Sequence, residues 1–309
     1  MPLFGFDFLA RLEHLALTAR RSRASAGGAG AVGRRIGDGL EFADHREYVA
    51  GDELRYLDWA AFGRLERLFV RRFHQHSDRV VHVLVDASAS MGLGVGERSA
   101  PGRAAGPSKF DAARRIAAAL AYLALNNLDR TAVAGFRDGR PDEAAASARG
   151  RDQIFPVLSY LERLACGGGG RWPDALRMWA DRTREPGLVI VVSDLLEEAP
   201  VEPALEAAAA GGHEVRAVAV AAPSELDPQA AEGGAGGRLR LIDVETSQEL
   251  RPTMSASLAE AYRAEAEACR RELADAFAAR RAALVRTTSD TPFEEFLTEL
   301  LARGWAGGE

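Results

Sequence analysis

Residues 81–92 read VHVLVDASASMG. A mostly apolar run ends on Asp86, and Ser88 and Ser90 follow at alternate positions. The run starts at Val80 and has no polar alternation, which predicts a strand covered on both faces. A second run of the same kind, GLVIVVSD at 187–194, ends on Ser193 and Asp194.

Around these two runs the pattern alternates between strand and helix. KFDAARRIAAALAYLALNNL (109–128) predicts a helix with an apolar stripe, and RTAVAGF (130–136) a strand. DQIFPVLSYLERLA (152–165) predicts a helix with Pro156 in its first turn. PDALRMWADRTR (173–184) predicts a helix opened by Pro173. PALEAAAAGG (203–212) is a helix stopped by glycine, and HEVRAVAV (213–220) a strand. A Gly-rich interruption leads into a small hairpin, RLRLIDV with SQELR. Residues 254–281 form one long helix of alternating charge, ALVRTTSD (283–290) a last strand and PFEEFLTELLARG (292–304) a last helix. This order predicts an α/β fold with a doubly wound, mostly parallel sheet.

Three segments follow from the same pass. Residues 1–33 comprise an amphipathic helix, read as a docking helix, and a flexible Gly/Ala linker. Residues 34–79 are dense in Arg, acids and aromatics and form a small α+β extension, expected to pack on the sheet. Within it LERLFVRRFHQH predicts a strand or hairpin arm, and Asp52 is placed to cap a short helix through Trp59. Residues 80–309 form the sheet domain, with the hairpin inserted at about 223–253.

Composition narrows the function classes. A net charge of −6 argues against general nucleic-acid affinity, and acids interleave the arginines at 20–23, 34–35 and 71–72. Of 39 basic residues only Lys109 is lysine. The two cysteines, Cys166 and Cys269, lie far apart, so neither a disulfide framework nor a zinc site is expected, and a reducing cytoplasm is the natural location. No apolar run of about 18 residues predicts a membrane span.

In an open parallel sheet, ligands bind beyond the carboxyl ends of the strands. Asp86 and Asp194 should therefore emerge on one edge, with Ser88 and Ser90 just beyond Asp86. These are hard oxygen donors suited to Mg2+, and equally to Mn2+ or Ca2+.

Asp86-Ala-Ser88-Ala-Ser90 resembles the DxSxS signature of von Willebrand factor A domains, the metal-ion-dependent adhesion site. Asp194 matches that family's later aspartate. The resemblance implies an ion one ligand short, completed by a carboxylate from a partner protein. The family's threonine on the intervening loop is absent: CGGGGRWPDALRMW offers Gly170 or Arg171 in its place. An inward-pointing Arg171 would supply a permanent charge instead of the ion.

The front segment carries a second resemblance. Gly39, Glu41-Phe42, Arg46-Glu47-Tyr48, Gly51-Asp52, Arg55, Asp58-Trp59 and Arg64 resemble the signature of the domain-of-unknown-function 58 (DUF58) family. SKFDAA, the hairpin DVETSQEL and the closing TTSDTPFEEFLTELLARG continue the match. The resemblance implies a von Willebrand A-like domain acting as a cytoplasmic, non-enzymatic adaptor with a MoxR-type AAA+ ATPase, in assembling or maturing a client protein. Arg46, Asp52, Arg55, Asp58, Trp59 and Arg171 are candidates for a partner surface. The competing expectation is a metal-dependent hydrolase using the same carboxylates and hydroxyls, with Lys109 and Asp111 as the nearest bases by sequence.

Overall fold

The computed structural model describes residues 3–5, 7–14, 40–49, 57–65, 67–75, 80–93, 107–196, 199–226, 241–246, 248–253, 255–303 and 305. They fall into two units, Met1–Ala19 with Arg79–Glu309, and Arg20–Asp78. Helix α1, at residues 7–14, belongs to the first.

The smaller unit is a hairpin with one short helix. β1 (Leu40–Glu47) runs antiparallel to β2 (Phe69–Gln75), with an irregularity between Phe42 and Asp44. β2 is the strand that LERLFVRRFHQH predicts, whereas its partner β1 was not foreseen. Helix α2 (Trp59–Leu65) starts one residue after Asp58, whose carboxylate accepts the Ala61 N–H at 2.9 Å. The cap expected from Asp52 is therefore made by Asp58, the residue next to the first turn, where a side-chain oxygen reaches the third helical N–H.

In the larger unit the chain forms β3 (Val80–Asp86), α3 (Lys109–Asn126), β4 (Arg130–Arg137), β5 (Arg140–Pro141) and β6 (Ala145–Ala148). It continues through α4 (Ile154–Arg163), α5 (Trp172–Arg182), β7 (Gly187–Ser193), α6 (Glu202–Ala210), β8 (Glu214–Ala221) and α7 (Pro223–Leu226). The hairpin β9 (Leu241–Ile242) and β10 (Glu249–Leu250) follows, then α8 (Ala256–Ala279), β11 (Ala283–Thr288) and α9 (Phe293–Ala302). The elements predicted from periodicity are present. The short edge strands β5 and β6 were not foreseen, because two to four residues carry too little alternation to be recognised.

Strand order in the large sheet is β11-β8-β7-β3-β4-β5, with β6 also paired to β4. From β11 to β4 every pairing is parallel, and β5 and β6 run antiparallel to β4. Winding proceeds in opposite directions from the β3–β7 pair, which makes that pair the topological switch point of a doubly wound sheet.

Alternate residues of β3 serve two cores. Val81, Val83 and Val85 join α3, α4 and α9 on one face, while Leu84 joins α5 and α6 on the other. This is why the run lacks polar alternation. Helix α1 adds Phe8 and Leu12 to the first core, its Phe8 ring lying 5.2 Å from Phe293 and its Arg11 pairing with Glu294 at 2.7 Å.

At the start of β7 the two central strands approach so closely that a Cβ on Gly187 would lie 2.4 Å from the Val80 carbonyl oxygen. Backbone cannot yield there as a flexible side chain would. Gly187→Ala is expected to cost about 1–3 kcal/mol, read as a lower midpoint in denaturant unfolding with an unchanged slope.

Candidate functional site

Asp86 closes β3 and Asp194 follows β7, so the switch point brings both to one edge. Ser88 and Ser90 lie on the turn after β3. Three side chains form a continuous chain of contacts: Ser88 Oγ lies 3.0 Å from Ser90 Oγ, and Ser90 Oγ donates to Asp194 Oδ2 at 3.0 Å. Asp86 is joined to the turn by accepting the Ser88 N–H on Oδ1 at 2.9 Å. Its Oδ2 accepts from Ser193 Oγ at 2.6 Å, which locks it to the end of β7.

Asp86 is 1% exposed. Burial, reinforced by the nearby charge of Asp194, pushes its carboxyl up from 3.8 to about 6, against the hydrogen bonds from Ser193 and Ser88. A cation at this position would remove that penalty.

The Gly-rich loop at 166–170 is stitched across the same edge. Gly167 N–H donates to the Ala87 carbonyl at 2.8 Å, and Ala89 N–H to the Gly168 carbonyl at 2.9 Å. Gly168 has φ +74, a left-handed conformation that glycine adopts without cost. A Cβ on Gly170 would lie 3.8 Å from Ser88 Oγ and 3.9 Å from Asp86 Oδ2. Position 170 therefore faces the corner where the expected threonine hydroxyl would sit.

Arg171 does not turn inward. Its φ is +52, its side chain is 61% exposed, and its guanidinium donates to the Asp138 carbonyl at 2.9 Å. The charge that does enter is Lys109, 0% exposed, whose Nζ contacts Asp194 Oδ2 at 2.7 Å and Glu225 Oε1 at 2.5 Å. Burial by itself pulls this ammonium down, but Asp194 and Glu225 together carry it above its ordinary value. Glu225 is fixed in turn, accepting the Ala222 N–H at 2.7 Å, while its own carbonyl accepts from Tyr262 Oη at 2.8 Å.

Sequence reasoning placed Lys109 only as a possible base and missed Ser193 and Glu225 as partners. One signal was present: a single lysine among 39 basic residues, at the start of a helix. A compact ammonium fits between two carboxylates where a planar guanidinium demands more room. Asp111, the other candidate base, is turned to Arg114 at 2.5 Å. His82 sits four residues back along β3 from Asp86, against Trp179 with ring centroids 4.8 Å apart, and burial lowers it to about 4.

The remaining candidates lie in the smaller unit. Asp58 is buried and engaged in capping α2, so its carboxylate is not a surface feature. Trp59 is 63% exposed and meets Phe62 edge-on at 6.4 Å. Arg46 lies on β1, described through its backbone, and Asp52 and Arg55 lie outside the described residues. Among the described residues both cysteines are free, and no helix is long and apolar enough to cross a membrane.

Known proteins place these features in a family. Uncharacterized protein Mb1516 of Mycobacterium bovis and Uncharacterized protein Rv1480 of Mycobacterium tuberculosis are each 27% identical over 195 residues, 62% of this chain and 58% of theirs. The match thus spans little more than half the length of those relatives. Among solved structures, the conserved hypothetical protein BatB from Bacteroides thetaiotaomicron is similar at 16% identity and TM-score 0.42, over 73% of this chain and 98% of that one. The SpRpn10 VWA domain is similar at 13% identity and TM-score 0.39, over 75% and 97% respectively. The strand order is that of a doubly wound α/β sheet, with the DxSxS turn at its switch point. The family described as Protein of unknown function DUF58 matches residues 44–272, most of the sequence, and the chain belongs to that family.

Proposed function

We propose that this chain is a non-catalytic protein-interaction adaptor. Its carboxyl edge holds a divalent cation at Asp86, Ser88 and Ser90, with Asp194 beside them, and offers it to a carboxylate of a partner protein. The observation that carries this reading is the convergence of one carboxylate and two hydroxyls from β3 with a second carboxylate from β7 at the switch point.

The donor set suits a small hard ion. Every candidate ligand is oxygen, and Asp86, Asp194 and Glu225 outnumber the Lys109 ammonium by two charges. Mg2+ tolerates few protein ligands because it keeps several waters, and Mn2+ or Ca2+ accept the same oxygens. When bound, the ion supplies a Lewis-acidic position for an incoming carboxylate. The protein's own part is to hold Asp86 through Ser193 and the Ser88 amide, and to leave the Gly170 side without a side chain.

The partner class rests on the family resemblance at residues 39–64 and the hairpin: a MoxR-type AAA+ ATPase, together with a client protein. Hydrolysis is the less favoured reading. Lys109 is held protonated by two carboxylates and touches neither serine, and Asp111 is paired with Arg114. Asp194 does accept from the Ser90 hydroxyl, but the same oxygen is neutralised by Lys109, which makes it a weak base toward that serine.

Binding of a purified MoxR-type ATPase, measured calorimetrically with Mg2+ and again after chelation, tests this. Asp86→Ala and Ser88→Ala are each expected to weaken binding by roughly tenfold or more. Unchanged partner binding and unchanged metal retention in both variants would sink the proposal.

A further inference from the structure

We infer that Lys109 is a built-in counter-cation of this site, a positioning residue that keeps Asp194 in place and loosens the hold on a divalent ion. The inference deepens the metal reading above and rests on it.

Lys109 opens α3 behind the Ser108 cap, whose hydroxyl accepts the Asp111 N–H at 3.0 Å. From there its fully buried ammonium reaches across the strand ends to Asp194 and Glu225. Asp194 Oδ2 accepts from Lys109 Nζ at 2.7 Å and from Ser90 Oγ at 3.0 Å. Two donors use the two lone pairs of that oxygen. The other oxygen, Oδ1, accepts the Leu196 N–H at 3.2 Å. An ion drawing on Asp194 therefore competes with Lys109 for the same carboxylate. The lysine charge also stands two hydrogen bonds from Ser90, itself a proposed ligand, through the shared Asp194 Oδ2, and like charges at such range in a partly buried site repel.

Two consequences separate this role from that of a structural strut. The edge stays assembled without metal, because Lys109 already neutralises Asp194. Removing the lysine both frees Asp194 Oδ2 and adds one net negative charge, so the ion binds more tightly even though the metal-free protein is less stable. A strut would lose stability with no gain in metal affinity.

The test uses the full chain with Mn2+ alone as probe, by calorimetry and by the electron paramagnetic resonance signal of free Mn2+. Lys109→Met and the double variant Lys109→Met/Glu225→Gln are compared with the unaltered protein. The double variant keeps the charge of the cluster unchanged and isolates the freed Asp194 oxygen. Both are expected to bind Mn2+ roughly tenfold or more tightly than the unaltered chain, and Mn2+ is expected to raise their melting temperatures by more. Equal or weaker Mn2+ binding by a folded variant overturns the lysine inference and leaves the metal reading intact. Binding by the variants alone upholds the lysine's role and overturns the metal reading for the natural chain; binding by none overturns both. Asp194→Asn, which keeps Lys109, covers the case in which neither lysine variant folds. It is expected to cost less Mn2+ affinity than Asp86→Asn, and an equal loss counts against the inference.

Discussion

Lys109→Met is expected to lower the stability of the metal-free protein by about 3–5 kcal/mol, the cost of removing one partner from a buried charge cluster. Lys109 is 0% exposed, and its side chain is the counter-charge to Asp194, 5% exposed, and Glu225, 23% exposed. Methionine fills much the same volume, so the loss reports charge rather than a cavity. What remains is Asp86, Asp194 and Glu225 within one edge, with no cation among them. Thermal unfolding should show a midpoint lower by on the order of 10 °C. The sign with pH follows from the raised ammonium value. The lysine's contribution is complete below its ordinary pKa of 10.5 and is lost as pH rises through the higher folded value. The difference between the natural chain and Lys109→Met should therefore shrink only in strong alkali. A difference that is already small at neutral pH would mean that Asp194 and Glu225 are solvated well enough to need no counter-ion.

Asp86→Asn is expected to act in the opposite direction. The folded carboxyl titrates near 6 and the unfolded one near 3.8, so the folded state holds its proton more tightly. Stability from this group is complete below 3.8 and is lost as pH rises to 6; above that the buried charge costs about 3 kcal/mol. Asparagine keeps an oxygen for the Ser88 N–H and carries no charge. Near pH 7 the metal-free variant should be more stable than the natural chain by up to about 3 kcal/mol, with the gap closing between pH 6 and 4. The same variant should lose the stabilisation that Mg2+ or Mn2+ gives the natural chain. Denaturant unfolding at pH 7.5 and 4.5, with and without Mg2+, measures all of this. A variant less stable than the natural chain in chelator at pH 7.5 would show that the carboxylate is stabilised by its hydrogen bonds rather than strained by burial.

Much of this chain is legible before any coordinates. The absence of polar alternation in VVHVLVD and GLVIVVS predicts strands covered on both faces, and β3 does serve two cores. Periodicity and end signals place α3, α5 and the long α8 within a few residues, since long helices carry several turns of pattern. Edge strands β5 and β6 escape because they are too short to carry a period. The partnership of β1 with β2 escapes because pairing is a property of two segments and is written in neither alone.

At the site, the sequence by itself determined that Asp86, Ser88, Ser90 and Asp194 share an edge, because parallel strands end on one side of a sheet and side chains near those ends have nowhere else to go. It also determined that the intervening loop lacks a hydroxyl. Only the tertiary structure decided which charge enters. Arg171 borders the gap in sequence, yet its left-handed backbone and the Asp138 carbonyl carry it out to solvent. Lys109 lies 85 residues from Asp194 along the chain, yet the register of α3 on β3 aims it at that carboxylate. Side-chain direction depends on local backbone angles and on the partners that packing delivers, and neither can be read from proximity in sequence.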